Sequence, residues 1–452
     1  MIAGVPCARG RGLAFLLLPE RKQLIVFDTS LKTAALILFG LMYVGVIGFP
    51  KYKPWIALAV AAAYVVLGIL PLNQIPSAVN WNALMMIAGT MLIVYHFIES
   101  QMPNRIADLL LRKASNVMWV TILMSLFSGV VSAFIDNVAT VLMVAPVGIA
   151  VCKKLKINPV GMILSIAVSS NLQGAATLVG DTTSIMLAAH AKMDFMDFFW
   201  MRGRPGMFFA VELGALATIP IMMFLFRRDR QPVSSDAHTE VRDYIPSITL
   251  VLMVVLLISA SFFSNKPELT NGLICMALAL LTMVLELLRE KNGKSFTAAI
   301  RSVDYETLLL LTALFCVIAG ITNLGIIDDF AGWIVKVGGH NRFLLYSMIV
   351  WGSVLISAFV DNIPYVATML PVLSVVTQQM GAEPYLLYFG LLCGATLGGN
   401  LTPVGASANI AATGLLRKQG WEVRFRDFAR IGTPFTLTAV LAGYLFIWLI
   451  WS

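Results

Sequence analysis

The sequence predicts an all-α polytopic membrane protein: about ten membrane-spanning helices plus two re-entrant hairpins, in two inverted-topology repeats. Three observations predict it. Of 452 residues, 59% are hydrophobic and only 12% charged, about half the charged share of a soluble domain. Mean hydropathy is +0.84. A chain this apolar lacks the polar residues to clothe a water-soluble core, which excludes a soluble enzyme, a nucleic-acid binder and a disordered scaffold. Apolar segments long enough for ~30 Å of hydrocarbon recur along the chain. Finally, the chain repeats itself at a fixed offset.

In chain order, residues 1–32 are expected to form an interfacial or mobile N-terminal arm: the apolar run 13–18 follows Arg9 and Arg11 but no small-residue cleavage site comes after it. Repeat 1 covers 33–227, with spans at 33–49, 54–71, 81–98 and 205–226, a hairpin at 117–151 and a broken helix at 159–190. A cytoplasmic linker follows at 228–243. Repeat 2 covers 244–452, with spans at 244–263, 270–288, 305–322 and 430–451, a hairpin at 342–376 and a broken helix at 384–415. Each hairpin carries a polar Asp-Asn at its centre, and each broken helix is interrupted by Gly, Thr and Asn. The five cysteines form no paired spacing, so no disulfide framework or zinc site is read.

Lys and Arg set the orientation. With the loop after Phe49 inside, 21 of the 32 Lys and Arg fall in inside loops, Lys51 and Lys53 among them, 6 fall in outside loops and the rest in the arm. This bias follows the positive-inside rule. It places the C-terminus outside, suits a bacterial inner membrane, and accounts for the net charge of +8 without an acidic partner. No Lys or Arg is expected deep in a span.

Residues 132–147, SAFIDNVATVLMVAPV, match 357–372, SAFVDNIPYVATMLPV, at eight of 16 positions, an offset of 225. The same offset relates LQGAATLVG at 172–180 to LGGNLTPVG at 397–405. Five crossings separate Asp136 from Asp361, and an odd number inverts the second copy. Inverted repeats place their sites at the midplane, where the copies meet.

Backbone that leaves a helix within the bilayer must line water or be buried in protein, and the helix ends it creates attract ions. The breaks gather Asn137, Thr177, Asn362, Thr402, Ser407 and Asn409 as neutral ligands. Asp136, Asp181 and Asp361 are carboxylates in the membrane and so functional candidates; they suit proton exchange or a bound Na⁺. Asp136 and Asp361 also suit the N-cap of each hairpin's second helix, with Pro364 in the first turn, and capping does not exclude ion binding. Glu212 reads as a packed acid, Glu286 as an interface residue, and His96 and His190 as packing or interface residues.

At these residues the sequence resembles the ion transporter superfamily with its citrate-transporter-like domain, which includes arsenite permeases, a group of Na⁺/H⁺ antiporters, the melanosomal P protein, and dicarboxylate and citrate symporters. The matching pieces are VNWNALMMIAG at 79–89 with VDYETLLLL at 303–311, SAFIDN and SAFVDN, ATLVGD at 176–181 and NLTPVGASANI at 400–410. The resemblance implies a dimerising scaffold and a moving transport domain, an elevator-like shift, and site positions at Asp136, Asn137, Thr177, Gly180, Asp181, Asp361, Asn362, Thr402, Gly405 and Asn409. Dicarboxylate symporters show Ser-Asn-Thr at the tips. Asp-Asn-Val and Asp-Asn-Ile here place the chain nearer the arsenite, antiporter and P-protein branch, although Thr182, Thr183 and Ser184 replace that branch's Pro-Pro-Asn.

Three acids with no buried Lys or Arg make a poor site for a doubly charged anion, because carboxylates ~4–6 Å apart already repel by about 3–4 kcal/mol at an effective dielectric near 20. The expectation is a secondary-active carrier with no organic cofactor, coupled to H⁺ and/or Na⁺. It would exchange protons with Na⁺, held by Asp136, Asn137, Asp361 and Asn362, or with a neutral or weakly charged oxo-solute such as arsenite. The alternative is a Na⁺- or H⁺-driven citrate or dicarboxylate symporter. A membrane aspartic protease is disfavoured, since the only Gly-Asp lacks G-x-G-D.

Overall fold

The computed structural model describes residues 18–233, 239–263, 265–290, 294–339 and 341–452. Their helices are α1 (Leu18–Gly48), α2 (Lys53–Val66), α3 (Ile75–Ala78), α4 (Trp81–Glu99), α5 (Met102–Lys113), α6 (Val117–Ser132), α7 (Asn137–Leu155), α8 (Val160–Gly174), α9 (Thr182–Ala191) and α10 (Met207–Leu225). The second half adds α11 (Ile245–Ala260), α12 (Thr270–Glu290), α13 (Lys294–Ser302), α14 (Tyr305–Asn323), α15 (Ile326–Gly338), α16 (Arg342–Ser357), α17 (Asn362–Gln379), α18 (Tyr385–Gly398), α19 (Ser407–Lys418) and α20 (Phe425–Trp451). The extended pairings among the described residues are a short β ribbon, Trp200–Met201 against Arg204–Pro205, and an isolated bridge between Asn116 and Pro232.

Capping explains where these helices start, and the caps are duplicated. Asn80 and Asp304 accept from the third residue of α4 and α14; Asn116 and Asn341 do the same for α6 and α16. Asp136 and Asp361 cap α7 and α17. Each such cap is worth about 1 kcal/mol. Pro146 and Pro371 sit inside α7 and α17 at the same offset, where each removes one ladder hydrogen bond. Helices α7, α17 and their partners thus form two matching hairpins, α6–α7 and α16–α17, and α8/α9 and α18/α19 are the two broken helices.

The helices sort into two packed groups. In one, α4 lies on α12, α2 on α14, α1 on α2 and α11 on α12. In the other, α6 lies on α8, α16 on α18, and α10 on α20, with α7 and α19 closing over α8. The groups meet where α17 packs on α14 and α15, and α9 on α4.

Contacts between distant loops report which ends of the helices lie together. At one end Lys153 donates to Gln419 (2.6 Å), Arg289 pairs with Asp243 (2.7 Å) and the Val117 amide donates to the Gln231 carbonyl (3.1 Å). At the other, Lys32 pairs with Asp329, Lys192 with Glu268, Lys266 with Asp194 and Arg202 with Glu383, and Arg204 donates to the Ile450 carbonyl. Surface pairs like these stabilise little, but each joins loops that the charge count assigns to one side. The tenfold crossing pattern is therefore internally consistent.

Two expectations change. The structure continues α1 back to Leu18, so residues 18–32 extend the first helix and are not an arm; residues 1–17 lie outside the described residues. The second span is short: α2 ends at Val66, where Gly68 in the left-handed region turns the chain.

Candidate functional site

Asp136 begins α7 with its carboxylate accepting from the amides of Val138 (2.9 Å) and Ala139 (3.2 Å). Asp361 begins α17 and accepts from the Ile363 amide (3.3 Å). Both are caps, as their sequence position allows. Beside each, a serine of the preceding helix donates to the tip asparagine: Ser132 to Asn137 Oδ1 (2.7 Å), and Ser357 to Asn362 Oδ1.

The helix breaks are laced to the tips by equally duplicated contacts. The Thr177 hydroxyl donates to the Ala133 carbonyl and the Thr402 hydroxyl to the Ala358 carbonyl. Gly180 packs so closely that a Cβ would lie 2.6 Å from the Gly174 carbonyl oxygen and 2.8 Å from those of Ser132 and Ala133. Gly405 meets Gly399, Ser357 and Ala358 at the same distances. Glycine is required here because three carbonyls fill the space a side chain would take. Ser184 donates to the Gly174 carbonyl (3.3 Å), and at the matching position Asn409 donates to the Gly399 carbonyl (3.1 Å) and to Thr402 O (3.2 Å). Between the halves, Asn171 donates to Thr396 O (2.6 Å) and to Asn400 Oδ1 (3.1 Å), while Asn400 donates to Val168 O (2.9 Å). These carbonyls at and beside the breaks are thereby satisfied by protein side chains, as low-dielectric surroundings demand.

One cavity of about 380 Å³ lies where the tips and breaks meet. Of the eleven sequence-expected residues it is lined by Asp136, Asn137, Asp181, Asp361, Asn362 and Ser407. Asp181 accepts from the Thr183 hydroxyl (2.6 Å) and shares the cavity with Asp136 and Asp361. Thr177, Gly180, Thr402, Gly405 and Asn409 do not line it; they brace the walls behind.

Sequence reasoning missed the three other charged residues of the cavity. Asp304, which caps α14, and Glu306 are both exposed and frame the mouth with Ser302. The mouth therefore opens at the end where Arg289 meets Asp243. Lys53 is the third, and it corrects the expectation that the acids have no buried Lys or Arg beside them. Its Nζ lies 2.7 Å from Asp361 Oδ2, with 19% and 22% of the two side chains exposed. The turn at Pro50–Tyr52 starts α2 at Lys53, beside the tip of the second hairpin. A signal was present: Lys53 is bracketed by Pro50 and Pro54, an interruption like those read elsewhere.

The remaining singled-out residues are accounted for. Glu212 accepts from Gln173 (3.2 Å), a packed acid as expected. His190 meets Ser374 (2.7 Å) near the surface. His96 is fully buried with Nδ1 2.7 Å from Glu286 Oε2, so Glu286 faces a protein partner and not the interface. Among the described residues no group of three or more His, Cys, Asp or Glu is arranged to hold a metal.

A family model described as a citrate transporter matches residues 34–391. An uncharacterized transporter of Mycobacterium bovis is 29% identical over 430 residues, covering 93% of this chain and 98% of the relative. The P protein of Mus musculus is 26% identical, covering 86% of this chain and 56% of that longer protein. Among solved structures, the YdaH transporter of Alcanivorax borkumensis, described as having an unusual topology, superposes with a TM-score of 0.58 over 83% of this chain and 87% of that one, at 15% identity. At that identity the likeness concerns the fold.

Proposed function

This chain belongs to the citrate transporter family, a membrane transporter and not an enzyme, and from that premise we propose a proton-coupled secondary-active carrier. It exchanges protons with Na⁺ or with a neutral or weakly charged oxo-solute such as arsenite. The observation that carries this reading is the charge of the cavity: Asp136, Asp181, Asp304, Glu306 and Asp361 line it against a single Lys53. A site with that excess of carboxylate favours a cation, a proton or a neutral solute.

Alternating access on this reading is elevator-like. The group carrying both hairpins and both broken helices moves against the group built on α2, α4, α12 and α14, which also forms the homodimer. The absolute orientation, with the cavity mouth cytoplasmic in a bacterial plasma membrane and the C-terminus outside, belongs to the same proposal and rests on the Lys and Arg bias.

Lys53 favours a second reading, a Na⁺- or H⁺-driven symporter of citrate or a dicarboxylate, since it puts one cation within reach of an anionic solute. Proteoliposomes separate the two. Proton movement triggered by Na⁺ or arsenite, with the pH dependence lost in Asp136→Asn and Asp361→Asn, supports the first. Labelled citrate uptake driven by a Na⁺ gradient supports the second, and flux with unchanged pH dependence in both variants contradicts the role given to the acids.

A further inference from the structure

The two hairpin tips are built alike but charged differently. Both have an Asp cap, a serine donating to the tip Asn, and a threonine pinned to the carbonyl behind the tip. Yet Asp361 faces the Lys53 ammonium at 2.7 Å, whereas neither Asp136 nor Asp181 is in an ion pair among the described residues. The second acid is also unmatched, because Ala406 stands at the position corresponding to Asp181. With acids ionised, the first tip carries two negative charges and no cation; the second carries one negative charge that Lys53 cancels.

We propose that Lys53 is a tethered cation: its ammonium fills, at the second tip, the place that a free monovalent cation takes at the first. This rests on the reading that the tips bind cations, and it adds a count: one exchangeable cation per chain instead of two.

The geometry supports the asymmetry from both sides. Lys53 reaches Asp361 from α2, which packs on α14 and is not part of the hairpin. In the other half α12 packs on α4 in the equivalent way. The one basic side chain of α12, Arg289, is paired with Asp243, so α12 delivers no cation to Asp136 in the way α2 delivers Lys53 to Asp361. At Asp136, which lines the cavity, the cap hydrogen bonds from Val138 and Ala139 both fall on Oδ2, so capping uses one of its two carboxylate oxygens. An ammonium and an alkali cation answer the same need, a positive charge against a carboxylate that water does not fully solvate. A tethered one differs in that it cannot be transported.

The test is ²²Na⁺ binding to the purified full chain at alkaline pH, read as sodium ions per chain. Wild type is expected to bind one, and Lys53→Met to bind twice as many, because the second tip is vacated. The Lys53→Met/Asp361→Asn double variant returns to the wild-type count. Asp361→Asn alone, which needs no new vacancy and keeps the test decisive if Lys53→Met folds poorly, retains the wild-type count. Asp136→Asn loses it. The proposal is overturned if Asp361→Asn removes bound sodium, or if well-folded Lys53→Met binds no more than wild type. Wild type that binds none overturns the cation site at the first tip itself, a failure distinct from one confined to Lys53.

Discussion

Thr177 and Thr402 show how one residue type in one repeated setting can carry a structural contact where the sequence suggests a ligand. Their place in the breaks made them candidate ligands, but each hydroxyl is spent on the carbonyl of Ala133 or Ala358 and neither lines the cavity. Sequence reveals that a hydroxyl sits at a break; which way it points is decided by the neighbouring hairpin, packed against it from 44 residues away. Removing the hydroxyl while keeping the shape isolates this role. Thr177→Val and Thr402→Val each leave a buried carbonyl without its donor, at a cost of about 1–3 kcal/mol. Both are expected to lower the detergent-solubilised protein's melting temperature while leaving ²²Na⁺ affinity near the wild-type value. A large loss of affinity at unchanged stability would instead make these threonines ligands. Asp136 and Asp361 differ, since both cap a helix and also line the cavity, Asp361 with its second oxygen on Lys53.

The hairpins and broken helices were legible as elements because each combines an apolar run with a polar centre, and because the pattern occurs twice. Duplication also made their contact partners legible: Gly180 and Gly405 close on corresponding carbonyls in the two halves. The short helix α2 was not legible. Hydropathy continues past Val66, and although the spans at 33–49 and 54–71 leave a break after Phe49, nothing in the apolar count says that the residues of that break meet the second hairpin. Tertiary packing on α14 decides it, which is why Lys53 was counted among loop residues. The glycine contacts carry a prediction at this level. Gly180→Ala and Gly405→Ala each force three carbonyls apart, an overpacking cost of about 1–3 kcal/mol, and separate a break from its hairpin. Each variant should show a lower melting temperature. Because the contacts are duplicated, the two losses should be similar, and a variant as stable as wild type would show that the breaks are not held by these close approaches.

For the molecule as a whole, sidedness is the property on which every mechanistic statement depends. The Lys and Arg bias and the pairing of loop ends are independent, one a matter of composition and the other of geometry, and the loop pairs that touch are pairs the bias puts on one side. The cavity mouth at Asp304 and Glu306 lies with the basic loops; the C-terminus lies at the far end, where Trp451 donates to the Pro205 carbonyl (3.0 Å). Both positions can be read in intact cells. Glu306 begins α14, in the group of helices proposed to stay fixed, so its exposure should not depend on the transport state. Glu306→Cys, in a background with the native cysteines replaced, is expected to react with a membrane-impermeant maleimide in inside-out vesicles and not in intact cells. A phosphatase fused after Ser452 is expected to be active outside. If both readouts come out reversed, the relative arrangement survives and the cavity is open to the exterior. If the two positions prove to be on the same side, the crossing count is wrong and the halves are not inverted. Equivalent tips approached from opposite faces would then be lost, and the alternating-access account with them.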